Sequence, residues 1–146
     1  MRKLWYPISI VLITLGSLNA QTDSKERQAI IATLKNETRY FCERDLKQWQ
    51  AQWSRQPYVS KMYAGNTKFE EFSGWEAIRQ FTVKHIAENP EPIPIPETLF
   101  NYEIYVSGKT AWVFYSKMVN GTLVKENRFM VMENGHWKIA RMQTIF

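Results

Sequence analysis

Toward the C-terminus, β-branched and aromatic residues alternate with polar ones, and three turn signals interrupt the alternation. Ser107-Gly108, Asn120-Gly121 and Asn134-Gly135 follow one another at intervals of 13 and 14 residues. A period of two broken by a Gly-containing pair is the sequence form of a tight hairpin, because such turns need positive φ at their centre. The pattern predicts an antiparallel meander of four strands, at 99–106, 109–119, 122–133 and 136–145. Upstream the period becomes helical. Ile30, Ile31, Leu34, Phe41 and Cys42 form one apolar stripe, and Asp23 with Glu26 three residues later resembles a capping box that would begin this helix. At about 100° per residue, Glu37 falls on the edge of the stripe and Thr38 near its centre. A second, short helix carries Trp49 and Trp53 on one face and is stopped by Pro57. Residues 58–63 read as a strand, and 67–72 as its short partner after Gly65-Asn66. Trp75, Ile78, Phe81, Val83 and Ile86 mark a third helix at 75–88. Pro90, Pro92, Pro94 and Pro96 cannot donate ladder hydrogen bonds and predict an extended connector. The fold class is therefore α+β, with three N-terminal helices packed on a curved antiparallel sheet.

Register assigns the faces. Two-residue turns at all three hairpins place Phe100, Tyr102 and Ile104 beside Ala111, Val113 and Tyr115. Those lie beside Glu126, Arg128, Met130 and Met132, and these beside Trp137, Ile139, Arg141 and Gln143. All share one face, since opposite residues of a sheet point the same way. The face is mostly apolar and is assigned to the core beneath the helices. Within it, Tyr115 and Gln143 oppose Glu126, and Arg128 opposes Arg141. Buried charges are costly unless paired or hydrated, so the cluster implies a cavity at one end of the sheet, with Glu37 as a further carboxylate. One bulge residue would flip half of this assignment. The other face carries Tyr105, Trp112, Phe114, Phe129, Val131 and Met142 among Glu103, Lys125, Asn127 and Lys138. Such an aromatic patch predicts burial against a second copy of the chain.

Composition narrows the picture. The 146 residues suffice for one domain with a real core. The first 20 are set apart: Arg2 and Lys3 precede an apolar run at 4–15, and Gly16-Ser17-Leu18-Asn19-Ala20 ends in a small residue. This is the pattern of a secretory signal peptide at 1–20, leaving a domain at 21–146 that is exported, periplasmic or secreted. The run falls short of the roughly 20 residues needed to span a bilayer, so no membrane association is expected after cleavage. Loss of Arg2 and Lys3 lowers the formal net charge from +5 to +3. The remaining positive charge is scattered, which argues against nucleic acid as a partner. Cys42 stands alone on the apolar stripe and reads as a buried thiol. With His85 and His136 the only histidines, the usual ligands of a metal site are lacking, and no cofactor is implied. The sequons at Asn36 and Asn120 read as chance occurrences.

A series of short motifs then carries a resemblance. Arg44-Asp45-Leu46, Trp49, Trp53 and Pro57-Tyr58-Val59 are followed by Gly74-Trp75-Glu76-Ala77-Ile78 and Lys109-Thr110-Ala111-Trp112-Val113. Glu126-Asn127-Arg128 and Gly135-His136-Trp137-Lys138-Ile139-Ala140 complete the order. In this order and spacing the chain resembles the nuclear-transport-factor-2-like superfamily, and within it the SnoaL-like group. The resemblance implies a cone-shaped fold in which helices close a curved sheet around a pocket, and frequent dimerisation through the outer sheet face. That superfamily hosts isomerases, cyclases, dehydratases, ligand-binding modules and non-catalytic subunits, so fold alone names no reaction. The position of the isomerases' acidic base falls near Ser60 or Lys61, and that of their tyrosine near Glu37, so their catalytic set is not carried over.

The leading expectation is an exported binding module, with no residue assigned to catalysis. Trp49, Trp53 and Tyr58 would line its pocket together with Glu37, Tyr115, Glu126, Arg128 and Arg141. Convergent polar groups in an apolar pocket are typical of ligand sites, here for a small hydrophobic or carboxylate-bearing ligand, and two arginines favour the carboxylate-bearing one. Two alternatives stand beside it. One is an isomerase- or dehydratase-like enzyme with Glu37 or Glu126 as general base. The other is a non-catalytic protein-interaction module.

Overall fold

The structure, a computed structural model, describes the backbone of residues 15–98 and 102–146 and the side chains from Asp23 onward outside 99–101. Helices α1 (Leu15–Cys42) and α2 (Leu46–Ala51) precede strands β1 (Ser60–Ala64) and β2 (Phe69–Ser73). Helix α3 (Trp75–Glu88) follows, then β3 (Glu103–Ser107), β4 (Thr110–Val119), β5 (Thr122–Glu133) and β6 (His136–Ile145). The α+β class and the three-helix, curved-sheet arrangement read from the sequence are those observed. The six strands form one unclosed sheet in the order β2-β1-β6-β5-β4-β3. Its pairings are antiparallel except that β1 runs parallel to β6. That exception joins the N-terminal hairpin to the last strand of the meander, so residues from both halves of the chain share the inner face.

Two hairpins turn where expected. Asn120 and Asn134 have φ of 50°, and Gly121 and Gly135 have φ of 78°, the paired positive values of a type I′ turn. The first hairpin differs by one residue. Ser107 pairs with Thr110, so the turn residues are Gly108 and Lys109 rather than Ser107 and Gly108. Gly108, at φ 57°, takes the first central position, where a II′ turn favours glycine. Ile104 consequently pairs with Val113 and Val106 with Ala111. This slides the register by two positions and leaves the faces unchanged. Phe100, placed on the inner face from the sequence, lies outside the described residues.

The helices depart from expectation at their ends. α1 passes through Asp23 and Glu26 without starting there; Ala20, Gln21 and Lys25 are all compatible with a helix interior, so the capping-box residues sit mid-helix. Ile30, Leu34 and Glu37 are buried one turn apart, which moves Glu37 from the edge of the stripe to its centre. α2 is capped by Asp45, whose side chain accepts from the Gln48 amide. It ends at Ala51, well before Pro57, because Trp53 leaves the helix to bridge Ile139 of β6. The strand and partner predicted at 58–63 and 67–72 begin two residues later than expected. The core brings Ile30, Leu34, Trp49, Trp53 and Ile78 against Val113, Met130 and Ile139.

One irregularity decides the inner face. Met130 pairs with Ile139, but Phe129 pairs with Arg141, leaving Ala140 as an extra residue in β6. This bulge reverses the alternation beyond it. Met142 and Thr144 turn inward and are buried, whereas Arg141 is exposed. Two expectations are corrected: Arg128 faces Met142 rather than Arg141, and Glu126 faces Thr144 rather than Gln143. Met142 is likewise lost from the outer aromatic patch. The proline connector runs along one end of the sheet, where Ile93 N–H donates to the Cys42 carbonyl and Arg44 Nε to that of Glu91.

Candidate ligand pocket

Beyond the bulge, alternate residues of four strands point beneath α1 in two rows. In one row Lys61 lies beside Met142, which lies beside Arg128. In the next, Tyr63 lies beside Thr144, Thr144 beside Glu126 and Glu126 beside Tyr115. From above, α1 contributes Glu37, Thr38, Phe41 and Cys42, all within a turn and a half of its C-terminus. Ile93 and Pro96 of the connector and the C-terminal Phe146 complete the wall. Apart from Tyr115, and together with Lys117, Val119 and Val124 of the β4–β5 hairpin, these residues line a cavity of about 170 Å³. Ile93 and Phe146 are themselves 44% and 56% exposed, which places the mouth on their side.

The cavity is mostly apolar but contains five ionisable side chains of formal charge. Glu126 is fully buried and holds two cations. Lys117 Nζ lies 2.6 Å from its Oε1, Arg128 Nη1 donates to Oε2, and Thr144 Oγ1 donates to Oε2 at 3.0 Å. Burial alone would raise the Glu126 pKa, but Arg128, Lys117 and the hydroxyl outweigh it and hold the carboxyl below its usual range. Arg128 shows the converse. Burial works against its charge, and Glu126 more than compensates, so the guanidinium stays firmly protonated. Its Cζ lies 5.8 Å from the Tyr115 ring centroid, and its Nε has no hydrogen-bond partner among the described residues.

Glu37 accepts a 2.9 Å hydrogen bond from the indole of Trp49. Lys61, only 2% exposed, has no carboxylate oxygen within 4.0 Å among the described residues. Instead its Nζ stands 5.5–5.7 Å from the ring centroids of Phe41, Trp49, Tyr63 and Phe81. Burial lowers its pKa to about 8; Glu37 and Glu126 oppose the shift and Arg128 adds to it. Burial also pushes the Tyr63 and Tyr115 hydroxyls well above their ordinary range and raises the Cys42 thiol.

The structure brings together Glu37, Glu126 and Arg128 from the set named by sequence, with Tyr115 against Arg128 and lining an adjoining hollow. The others lie elsewhere. Trp49 and Trp53 are core residues, their rings 5.9 Å apart, and Trp49 reaches the site through its bond to Glu37. Tyr58 is 49% exposed ahead of β1, and Arg141 is turned outward by the bulge. Sequence reasoning missed Lys61, Tyr63, Lys117 and Thr144. For Lys61 a signal was present, since Val59, Lys61 and Tyr63 occupy alternate positions and thus share a face. Among the described residues no cluster of three potential metal ligands occurs, and no helix is long and apolar enough to cross a membrane.

No model of a known protein family matches the chain, and no curated protein does. Solved structures do match over most of its length. An NTF-2-like protein of unknown function from Silicibacter pomeroyi covers 84% of this chain over 96% of its own, at 12% identity and a TM-score of 0.66. An NTF2-like protein with a cystatin-like fold from Novosphingobium aromaticivorans covers 92% over 91%, at 18% identity and 0.63. A further NTF-2-like protein of unknown function, from Shewanella oneidensis, covers 83% over 99%, at 16% identity and 0.60. At these identities the likeness is one of architecture, and this chain has the NTF2-like, cystatin-like fold.

Proposed function

We propose that this protein is an exported binding module whose pocket takes a small monoanion, a carboxylate carried on a hydrophobic body. The observation that supports this reading is the charge balance of the cavity. Lys61, Lys117 and Arg128 face Glu37 and Glu126, leaving a surplus of one positive charge in largely apolar surroundings. An uncompensated cation is expensive in such surroundings, and an incoming carboxylate would neutralise it. The volume limits the body of that ligand. A cavity of about 150 Å³ holds a benzene ring, so the 170 Å³ here suits one ring or a short branched chain.

An enzymatic reading with Glu126 as general base finds less support, because its two cationic partners stabilise the ionised form and weaken it as a base. The exposed aromatic patch on the other face of the sheet supports a second proposal, self-association into a dimer.

Benzoate, with toluene as its uncharged counterpart, tests the binding reading by thermal shift. Benzoate is expected to raise the unfolding midpoint of wild type and toluene to do so less. Lys117→Gln, which leaves Glu126 paired with Arg128, should weaken benzoate about tenfold, or ~1.4 kcal/mol. No shift with benzoate or with short branched-chain carboxylates would overturn the proposal.

A further inference from the structure

We propose that Lys61 is a nucleophilic amine that captures a carbonyl-bearing ligand, an aldehyde or ketone of about one ring's size, as an imine. The inference rests on the pocket reading above, since it uses the same cavity, but it assigns a chemistry that anion binding does not require.

Lys61 is an anomaly as a structural residue. A buried ammonium normally persists because a carboxylate pairs with it, yet Lys61 has none within reach among the described residues, whereas Lys117 and Arg128 share Glu126. A methionine would fill the space among the rings of Phe41, Trp49, Tyr63 and Phe81 without the cost of desolvating a charge. What a lysine adds at this position is an amine, held on a strand and lining the cavity. Desolvation in an apolar pocket is a standard means of activating a lysine toward carbonyl carbon, because it enlarges the fraction that carries a free lone pair. Here the surroundings that bear on that fraction are burial and Arg128 on one side, and Glu37 and Glu126 on the other.

The step balances without an oxidant or reductant. The neutral amine adds to the carbonyl carbon, forming a C–N bond and a carbinolamine. The carbinolamine oxygen then leaves as water, taking two protons that the amine nitrogen gives up, and a C=N bond remains. When that imine takes up a proton, its positive charge lies in the same ring of aromatic faces that now surrounds the ammonium. Those faces attract a cation whether it is an ammonium or an iminium.

The test is reductive trapping on the full chain. Benzaldehyde and cyanoborohydride are added at pH 8, and the labelled lysines are identified by peptide mass spectrometry. The expected result is a single benzyl adduct on Lys61, formed at least ten times faster than on exposed lysines such as Lys68 or Lys84. Lys61→Arg, which keeps the charge but cannot form an imine, and Lys61→Met should both lose that fast adduct while retaining wild-type near-ultraviolet circular dichroism. Labelling of wild type that spreads over the exposed lysines and spares Lys61 would overturn the inference, whatever the variants do. Benzoate binding measured in parallel separates the two readings. Benzoate bound with Lys61 unlabelled rejects the imine alone, Lys61 labelled without benzoate binding rejects the anion reading alone, and failure of both rejects both.

Discussion

At the scale of single residues, Lys61 ties stability to pH with the same sign as a carboxylate of depressed pKa, but in the alkaline range and because burial penalises its charged form. Its folded-state pKa of about 8 lies below the ordinary 10.5, so between those two values the unfolded chain binds more protons than the folded one. Stability therefore rises with pH across that window. Below it, both states carry the proton, and folding bears the full cost of burying the charge, on the order of 3 kcal/mol for a shift of this size. Lys61→Met removes the cost. The variant is expected to exceed wild type by about 1–3 kcal/mol at pH 7, with the margin shrinking toward pH 9.5. Urea denaturation at the two pH values checks this, and a margin that stays constant would show that the ammonium is not what the methionine relieves. The same residue shows why the site was only half legible. Glu126 and Arg128 could be placed because an Asn-Gly turn fixes the β4–β5 register to the residue. Lys61 belongs to a short strand whose neighbour, β6, is distant in sequence and parallel, and no turn signal encodes that pairing.

At the scale of elements, the bulge in β6 is what makes the site. Without Ala140 as an extra residue, Arg141 would lie beside Arg128 and force two guanidinium groups into one dry layer. With it, Arg128 meets a methionine, and Glu126 meets a threonine hydroxyl that it can accept from. The sequence does carry a trace of the event. Trp137 and Ile139 keep the apolar period of two, Ala140 breaks it, and Met142 resumes it one residue out of phase. A strict alternation rule reads past such a break, because it counts from the turn rather than from the apolar residues beyond it. The two registers make opposite demands on mutation. In the observed one, Met142 is buried at 6% exposure, and Met142→Ala should cost about 2–5 kcal/mol. Arg141→Ala, on the outer face, should stay within about 0.5 kcal/mol. Chemical denaturation of the pair measures both, and the reverse order would mean that the strand runs unbulged.

For the molecule as a whole, the sheet separates two kinds of chemistry across its thickness. The inner face gathers the ionic groups under α1, while the outer face shows Tyr105, Trp112 and Phe114 at 61%, 45% and 37% exposure. These rings form a connected surface: Trp112 lies 4.8 Å from Phe129 and 6.4 Å from Phe114, and Phe114 lies 6.2 Å from Tyr105. The bulge shapes this surface too, since it withdraws Met142 and sets Arg141 opposite Phe129. An aromatic patch bordered by a cation matches the composition of protein interfaces, where aromatic residues and arginine are enriched. It lies near the middle of the β3–β4–β5 layer, where a second copy related by a two-fold axis could present the same rings in return. Self-association of this kind predicts that Trp112→Lys, which places like charges across the axis, shifts the protein from twice the chain mass toward one chain mass in sedimentation equilibrium. The same variant should leave benzoate binding on the inner face within twofold of wild type, because the pocket residues of β4, β5 and β6 alternate with the outer rings and point to the opposite side of the sheet. A wild-type protein that sediments as a single chain at all concentrations would leave the rings open to a different partner, and dimerisation would fall without affecting the pocket.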